Sequence, residues 1–399
     1  MVITFILAST HVTGGHRAVF ELANGLTTRG HKVHIVHPLV PLVIKPGINI
    51  KDILSIIRSS IGNLIRGKEI NWFKVHARNI RILTLYPSFI RLFQKNIPES
   101  DVVIATAWET AYAVNKLSHT KGRKTYFIQH YEIWDLWSNE MYWDEAERLL
   151  NTGTDWHLAM ADLVPHESAV RKIKEIVDAT YRFPFTKITT AFWLGQLIES
   201  KFGHEAKRIT LGVNFSDFNC TPVIKRNEKK TILLSFRNQK WKGNIDALKA
   251  LSIVKAEFPE ININTFGVSE SGISADSLNI NNYGAVYGEN LKELYCSADI
   301  FVYPSWFEGW GLPPMEAMAC GTACVTTNVG GVQDYAINDV TALVVPPRNP
   351  EKIAEAIITL LKDDGKRDEI SKAGHDYIQQ FTWERTTIQL ENILQEICA

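Results

Sequence analysis

Short apolar runs alternate with amphipathic stretches from the start of the chain. Residues 2–8 are almost entirely apolar, Gly14 and Gly15 lie in the turn that follows, and residues 19–26 carry apolar side chains at helical spacing. A second apolar run covers residues 32–37. Strand, glycine turn, helix and strand form a βαβ unit, which predicts a parallel sheet with a right-handed crossover.

A break near the middle of the chain separates two series of such elements. Residues 212–230 lack apolar periodicity and contain Pro222 and a polar run, as expected of a linker. We therefore predict an α/β protein with two Rossmann-like parallel-sheet domains, at 1–214 and 215–382. Further strands are predicted at 101–106, 125–129 and 186–190 in the first domain, and at 231–236, 261–266, 299–304, 322–326 and 342–345 in the second.

A basic segment at 43–97 stands out from the first domain. It holds ten Lys or Arg residues against two acids, with isoleucine and leucine interleaved at helical spacing. One interpretation is a pair of amphipathic helices that cover the sheet with a solvated charged face. The other is a surface for peripheral contact with anionic lipid head groups or an anionic lipid-linked acceptor. The pattern leaves both open.

Aromatic and acidic residues are concentrated in 131–147. Five aromatic side chains and six acids alternate there. Aromatic rings stack on the C–H faces of sugars while carboxylates accept hydroxyl hydrogen bonds, so the segment is typical of a carbohydrate contact. Aromatic packing beneath a loop explains the pattern equally well. The aromatic residues are Tyr131, Trp134, Trp137, Tyr142 and Trp143.

Composition excludes several classes of protein. Of 399 residues, 45% are hydrophobic and 22% charged, which are ordinary globular values and argue against disorder, collagen and coiled coil. Forty-three basic residues balance forty-three acidic ones, so we expect no nucleic-acid partner. The apolar run at 2–8 has no basic residues before it and is too short to span a membrane, so we expect a buried strand in a cytoplasmic protein.

The five cysteines are scattered along the sequence and odd in number. This count predicts reduced thiols rather than a disulfide framework or a metal cluster.

The most informative stretch runs from residue 301 to 321. It reads as a buried strand, then a turn containing Glu308, Gly309 and Gly311, then a helix that begins near Pro313 and includes Glu316. A helix N-terminus at the carboxyl end of a parallel strand favours anions, and glycines let the backbone approach a diphosphate closely. The two carboxylates suit sugar and ribose hydroxyls.

Three further elements follow predicted strands. Arg237 and Lys242 come after the strand at 231–236, where together they can bind one phosphate group. Gly14 and Gly15 precede the first helix but do not form the dinucleotide fingerprint. His130 comes directly after the strand at 125–129 and is predicted to face an interdomain cleft.

These motifs together resemble the signature of family 4 retaining glycosyltransferases with the GT-B fold. The resemblance rests on Glu308 and Glu316 with seven residues between them, which include Gly-Trp-Gly-Leu at 309–312, and on Arg237 with Lys242. It also includes Gly14–Gly15, the Gly-Val-Asn at 212–214 and the Phe-Thr-Trp-Glu at 381–384, and it covers nearly the whole chain.

The resemblance implies a role for each element. The two Rossmann-like domains would face each other across a cleft, the second would bind a nucleotide sugar, the first would dock the acceptor, and the helix at 383–399 would pack back on the first. Catalytic roles fall to Glu308, Arg237, Lys242 and His130. Donor-binding roles fall to Gly14, Gly15, Gly309, Trp310, Gly311, Leu312 and Glu316.

It also implies transfer with retention of configuration, with no cofactor and no metal. The acceptor would be a glycan or a lipid-linked sugar. If the basic segment at 43–97 contacts lipid, the cytoplasmic enzyme would lie at the inner face of the cytoplasmic membrane. The donor stays open among dTDP, GDP and UDP sugars, and residues 127–132 are similar to transferases that use dTDP-rhamnose. Two features depart from the family pattern: Asp334 stands where relatives often have glutamate, and residues 134–181 are longer than the usual equivalent.

Two alternatives belong to other classes. One is a nucleotide-sugar epimerase of the same fold, which would release no free nucleoside diphosphate in response to acceptor. The other is a glycan-binding protein that has kept the fold without turnover, against which the intact set of Glu308, Glu316, Arg237 and Lys242 argues.

Overall fold

The computed structural model describes residues 1–38, 72–82, 96–150, 156–220, 229–267 and 278–399, together with residues 58 and 70. The chain divides into two units. The first comprises Met1–Ile133, Val164–Leu211 and Trp383–Ala399, and the second comprises Trp134–Leu163 and Gly212–Thr382. Most of the basic segment at 43–97 lies outside the described residues.

The first unit contains a parallel sheet of seven described strands in the order β3-β2-β1-β4-β5-β6-β7. Residues 102–105 are buried throughout and residues 3–6 likewise, which explains why these central strands appear in the sequence as apolar runs. The strands are β1 Val2–Ile6, β2 Lys32–Pro38, β3 Arg78–Ile82, β4 Val102–Ala105, β5 Arg123–Ile128, β6 Thr186–Thr189 and β7 Ala206–Arg208.

The second unit contains a parallel sheet of six described strands in the order β10-β9-β8-β11-β12-β13. Its core includes apolar side chains of β8 and β11, such as Ile232, Leu234 and Val302, together with apolar side chains of 247–254 and 353–361. The strands are β8 Thr231–Phe236, β9 Asn262–Gly267, β10 Ile280–Asn282, β11 Ile300–Tyr303, β12 Ala323–Thr327 and β13 Leu343–Val345. The predicted fold class, two Rossmann-like parallel sheets, is confirmed.

Helices connect the strands in both units. Those of the first unit are α1 Gly14–Thr28, α2 Trp108–Asn115, α6 Ser168–Tyr181, α7 Phe192–Phe202 and α13 Trp383–Cys398. Those of the second are α3 Trp134–Ser138, α4 Glu140–Leu150, α5 Trp156–Asp162, α8 Asn244–Glu257, α9 Gly288–Ser297, α10 Leu312–Ala319, α11 Pro350–Lys362 and α12 Asp364–Ile378. None of the helices among the described residues is both long and apolar enough to cross a membrane.

The Trp134–Leu163 segment belongs to the second unit, whereas the predicted boundary at 214 places it in the first domain. The physical reason is its aromatic side chains. Trp137 stacks on Phe307 with ring centroids 3.8 Å apart, and Trp143 meets Trp306 edge-on at 5.4 Å. Periodicity along the sequence reveals that these side chains are buried, but not which sheet buries them.

Burial also decides between the two interpretations of 131–147. Tyr131, Trp137, Tyr142 and Trp143 are fully buried and cannot stack on a sugar, while Trp134 is 42% exposed. Aromatic packing therefore accounts for four of the five rings.

The expectation of reduced, scattered cysteines is corrected by the fold. Cys220 and Cys296 form a disulfide across 76 residues of sequence. Cys320 lies close to both, because the three sulfur atoms are within 4.8 Å of one another. The linker end that holds Cys220 and the helix α9 that holds Cys296 meet only in the folded chain, so the spacing of the cysteines gave no sign of the pair.

Candidate functional site

The site is built at the carboxyl edge of the second unit's sheet. Strand order reverses between β8 and β11, which are neighbours in the sheet although they are far apart in sequence. In open α/β sheets, ligands bind outside the carboxyl ends of the strands at such a reversal. The loops that carry Arg237, Lys242 and Glu308 leave these two strands, so the topology brings the predicted residues to one place.

The two loops are held together by main-chain contacts. Trp306 donates its N–H to the carbonyl of Trp241 at 2.7 Å. Gly243 has φ of +70°, and a Cβ at this position would lie 2.0 Å from the carbonyl oxygen of Pro304. Only glycine fits so close an approach at a positive φ. The turn Lys240–Lys242 is therefore fixed against the strand end that precedes Glu308.

Lys242 and Glu308 form a direct ion pair. The Lys242 ammonium donates to Glu308 Oε1 at 2.7 Å. The hydroxyls of Tyr303 and Ser305 donate to the same oxygen at 2.6 and 2.7 Å. The sequence predicts both charged residues at the site but not that they bind each other, nor that Tyr303 and Ser305 complete the group.

These bonds keep Glu308 ionised although its side chain is buried. Burial alone would raise its pKa, but the charge of Lys242 and the hydrogen bonds from Lys242, Tyr303 and Ser305 hold the pKa of Glu308 below its ordinary value. Burial, with the negative charge of Glu308, raises the pKa of Tyr303 well above its usual range. The phenol thus stays protonated and remains a donor to the carboxylate.

Glu316 is the second buried carboxyl group of the site. It is the fifth residue of α10, and its Oε2 accepts a hydrogen bond from the Tyr295 hydroxyl at 3.2 Å. Burial and the charge of Glu316 raise the pKa of Tyr295 well above its usual range, and Arg237 opposes this effect. Arg237 therefore acts electrostatically on the partner of Glu316, and it acts on Tyr303 in the same way.

The turn before α10 places main-chain N–H groups at the carboxyl edge of the same sheet. Gly311 has φ of +87°, and a Cβ there would lie 2.8 Å from Val332 Cγ2. Pro313 and Pro314 have no N–H, so the N–H groups of Gly311 and Leu312 are the donors that this helix start offers an anion. Such an arrangement suits a phosphate.

Trp310 is one of the predicted donor-binding residues, and the structure shows where its side chain lies. This side chain is buried, its indole N–H donates to Met315 Sδ at 2.8 Å, and its ring packs on Tyr335 and Phe381. Only the backbone of Trp310 remains for a ligand. Gly309 instead supports the turn, since its carbonyl accepts the N–H of Gly331 at 3.1 Å.

Arg237 extends from the end of β8. Its Nη1 donates to the carbonyl of Phe236 at 3.0 Å, and the guanidinium lies 5.8 Å from the centre of the Phe266 ring. A Cβ on Gly267 would meet Arg237 Nη1 at 2.2 Å, so glycine leaves the room that this side chain occupies. The arginine is thus oriented by its own strand and by β9.

The remaining predicted residues lie in the first unit. Gly14 and Gly15 begin α1, whose N-cap Thr13 accepts the N–H of His16 at 3.1 Å. A Cβ on Gly15 would touch the Gln129 side chain at 3.5 Å. His130 follows β5, and its Nδ1 donates to the carbonyl of Tyr131 at 2.7 Å, which fixes the tautomer.

Glu109 and Glu132 form a carboxyl pair in the first unit that the sequence pattern does not reveal. Glu132 Oε2 accepts the N–H of Trp108 at 2.7 Å and the hydroxyl of Tyr126 at 2.9 Å, so it binds the start of α2. Burial raises the pKa of both Glu109 and Glu132, and the charge of Glu109 raises that of Glu132 further. The pair therefore retains a proton well above the pH at which exposed glutamates lose theirs.

Replacing Glu109 by glutamine should stabilise the protein at alkaline pH. The pKa is about 7 for Glu109 and about 8 for Glu132 in the fold, against 4.5 for an ordinary glutamate. The wild-type chain thus loses stability as pH rises from about 4.5 to about 8, because the unfolded chain ionises first. Glu109→Gln should match the wild-type melting temperature at pH 5 and exceed it at pH 8, by roughly a few degrees.

The exposed Glu99 provides the control for this pH effect. Glu99→Gln should follow the wild-type melting curve at both pH values. A Glu109→Gln melting temperature equal to that of the wild type at pH 8 would contradict the pairing.

Among the described residues, one group has the spacing of metal ligands: Cys220, Cys296 and Cys320. Two of its sulfurs form the disulfide, which leaves the thiol of Cys320 for coordination. Burial and the nearby charge of Glu316 raise the pKa of this thiol to about 12. A neutral thiol is a weak ligand, so this group does not fit a metal while the disulfide is formed.

The family comparison addresses the part of the chain that holds this site. Residues 221–377 match the family Glycosyl transferases group 1. The chain is also 37% identical over 111 residues to an uncharacterized glycosyltransferase of Methanocaldococcus jannaschii, a match that covers 28% of either protein. The chain spans about a quarter to a half of the length of the curated relatives it matches.

Solved structures match over almost the whole chain. Sucrose-phosphate synthase of Thermosynechococcus elongatus has a TM-score of 0.72 at 17% identity, covering 99% of this chain and 98% of that one. Anabaena HepE in complex with UDP has a TM-score of 0.71 at 15% identity, covering 99% and 100%. These matches establish the GT-B fold for this chain.

Proposed function

We propose that this protein is a retaining glycosyltransferase of family 4. It transfers a sugar from a nucleotide-sugar donor to a hydroxyl of a glycan or lipid-linked acceptor, without a metal. The observation that carries the proposal is the Lys242–Glu308 ion pair at the reversal of strand order in the second unit. The match of residues 221–377 to glycosyl transferases supports it, as does the UDP bound to Anabaena HepE.

The diphosphate of the donor would lie between positive groups. Lys242 has three N–H donors and gives one to Glu308, so it can bind phosphate oxygens without leaving its carboxylate. Arg237 offers a planar fork for the same group, and the N–H groups of Gly311 and Leu312 add neutral donors. Preorganised donors of this kind stabilise the charge that develops on the leaving phosphate, which is the step where a metal is otherwise used.

The two carboxylates would bind hydroxyls rather than phosphates. Glu316 would accept the ribose diol, with the Tyr295 hydroxyl holding its other side. Glu308 would accept hydroxyls of the transferred sugar while it anchors Lys242. Negative groups are tolerated beside the diphosphate because Lys242 neutralises Glu308.

The family resemblance supports front-face attack, in which the leaving phosphate takes the proton of the acceptor hydroxyl. His130 of the first unit would contact the donor sugar or its phosphate, and Gly15 would add a backbone N–H. The first unit would dock the acceptor. Contact of the basic segment at 43–97 with anionic lipid, and a cytoplasmic location, stay predictions from the sequence.

Two substitutions test the assignment of roles. Glu316→Ala should weaken nucleotide-sugar binding, because the ribose loses its acceptor, with a smaller effect on the rate at saturation. Arg237→Ala should lower the rate of acceptor-dependent nucleoside diphosphate release by roughly 100-fold, because a donor to the leaving group is lost. The measurements are a binding titration for the first and initial rates at saturating donor for the second.

Arg237→Lys provides the matched control, since it keeps the charge and loses the fork. It should recover part of the rate. Turnover and affinity equal to the wild type in both alanine variants would contradict the proposed site.

A further inference from the structure

The 134–163 segment contacts three loops at the edge of the sheet that holds the proposed donor site. Its Trp134 stacks on Trp241, next to Lys242, with ring centroids 6.1 Å apart. Its Trp137 stacks on Phe307, next to Glu308, at 3.8 Å. Its His157 bonds to Gly330, in the turn Gly330–Asp334. Three separate loops of the sheet edge thus rest on one segment.

Charged groups reinforce the contact on the outer side. Arg348 bonds to Asp144 of the segment at 2.7 Å and to Glu147 at 3.2 Å. The same guanidinium lies 5.0 Å from the centre of the Trp306 ring. Aromatic stacking therefore joins the segment directly to the loop before Glu308, and Arg348 joins the two indirectly through its ion pairs and its contact with Trp306.

His157 makes the most specific of these contacts. It is buried, lies against the Phe307 ring with centroids 5.2 Å apart, and its Nε2 accepts the N–H of Gly330 at 2.6 Å. Accepting this bond requires Nε2 to carry no proton. A buried main-chain N–H without an acceptor is costly, so the bond determines where the turn lies.

The turn that His157 holds is in direct contact with the backbone of Glu308. Gly330 has φ of +51°, and a Cβ on it would lie 1.9 Å from the Glu308 carbonyl oxygen. Gly331 donates its N–H to the carbonyl of Gly309 at 3.1 Å. A shift of the turn therefore displaces the main chain that carries the Glu308 carboxylate and, through it, Lys242.

We propose that His157 is a positioning residue of the donor site, which acts through Gly330 to set the affinity for the nucleotide sugar. His157 does not touch the donor in this arrangement; it places the groups that do. The inference rests on the proposed function, because it assigns a role to residues around the same site. It also gives a role to part of residues 134–181, which the family resemblance predicts to be longer than the usual equivalent.

The experiment compares four variants with the wild type. His157→Leu removes the acceptor while keeping an apolar side chain; His157→Gln and His157→Asn restore an amide oxygen at two different reaches. Met160→Ala, a buried residue of the same helix, removes packing without removing a bond to the turn. Each is titrated calorimetrically with whichever of UDP, GDP, dTDP and ADP binds the wild type most tightly, and its melting temperature is measured.

We expect His157→Leu to raise the dissociation constant roughly tenfold, as for a buried N–H that loses its partner. At least one amide variant should return to within about threefold of the wild type. Met160→Ala should lower the melting temperature with no change in affinity. Together these results would distinguish a positioning role of His157 from a general loss of stability.

Three results would overturn the inference: an unchanged dissociation constant in His157→Leu, failure of both amide variants to recover it, or equal weakening in Met160→Ala. If His157→Leu does not fold, the two amide variants and Met160→Ala still decide. Failure of the wild type to bind any nucleoside diphosphate would instead contradict the proposed function, and the inference with it.

Discussion

Replacing Lys242 by methionine should lower kcat/KM for sugar transfer by roughly 100-fold or more. Lys242 is the cation nearest to Glu308 in the structure, at 2.7 Å, and in the proposed mechanism it binds the leaving diphosphate. Loss of one preorganised group that stabilises developing charge typically lowers the rate by about 10²–10³-fold. Methionine keeps much of the side-chain length without the charge. Initial rates of acceptor-dependent nucleoside diphosphate release measure the effect.

Lys240 is a close control for this experiment. It lies two residues earlier in the same turn, is exposed, and pairs with Glu140 at 3.2 Å. Lys240→Met should leave kcat/KM within about twofold of the wild type, since exposed pairs contribute little. Turnover of Lys242→Met equal to that of Lys240→Met would contradict the role of Lys242.

A double variant separates the electrostatic role of Lys242 from its role in stability. Lys242→Met leaves Glu308 buried without its counter-charge, which is strongly destabilising. Adding Glu308→Gln removes that charge, so the double variant should melt closer to the wild type while transfer stays lost. Recovery of activity together with stability would show that Lys242 only supports the fold.

Replacing Gly330 by alanine should destabilise the second unit by at least about 2 kcal/mol. Two independent reasons combine at this position. The φ of +51° is unfavourable for any residue with a Cβ, and that Cβ would lie 1.9 Å from the Glu308 carbonyl oxygen. The turn or the Glu308 loop must move, so transfer should fall together with the melting temperature.

Gly321 offers a matched control within the same unit. Its φ is +68°, but a Cβ there would have no atom within 4 Å. Gly321→Ala should therefore show the backbone effect alone, about 1 kcal/mol, with transfer unaffected. Equal melting temperatures for the two variants would contradict the close approach of Gly330 to Glu308.

Much of the fold could be predicted from the sequence because most strands and helices have a recognisable pattern of apolar residues of their own. Central strands such as β4, β8 and β11 are buried along their length and therefore appear as apolar runs in the sequence. Short edge strands such as β7 and β10 were not predicted, because three residues with exposed positions carry no such pattern.

The sequence predicted which residues belong to the candidate site but not how they contact one another. Arg237, Lys242 and Glu308 were predicted at strand ends, and parallel strands place their carboxyl ends on one edge. The Lys242–Glu308 ion pair forms because β8 and β11 are neighbours in the sheet. The order of strands in a sheet cannot be predicted from the local periodicity of the sequence.

The direction of the Trp310 side chain could not be predicted from the sequence. The family resemblance places Trp310 among the donor-binding residues, and its ring packs beside Tyr335 and Phe381. A glycine-rich turn lets the chain bend, and the bend can direct a large side chain inward as easily as outward. In the proposed function, this turn would therefore contact the donor through its backbone.

The sequence did not reveal to which unit the Trp134–Leu163 segment belongs. Its aromatic residues were recognised, but chain order placed them with the first domain, whereas their packing partners Trp306 and Phe307 belong to the second unit. Only tertiary contacts reveal His157 beside Gly330, 173 residues away.

The most direct test of a nucleotide-sugar site in the second unit is a thermal-shift titration with UDP, GDP, dTDP and ADP and their common sugars, on wild type and Glu316→Ala. A ligand at a hundredfold excess over its dissociation constant stabilises the folded state by about 2.7 kcal/mol. We expect one base to raise the wild-type melting temperature selectively, and the rise to be much smaller in Glu316→Ala. No shift with any nucleotide, or the same shift in both proteins, would contradict the proposed donor site.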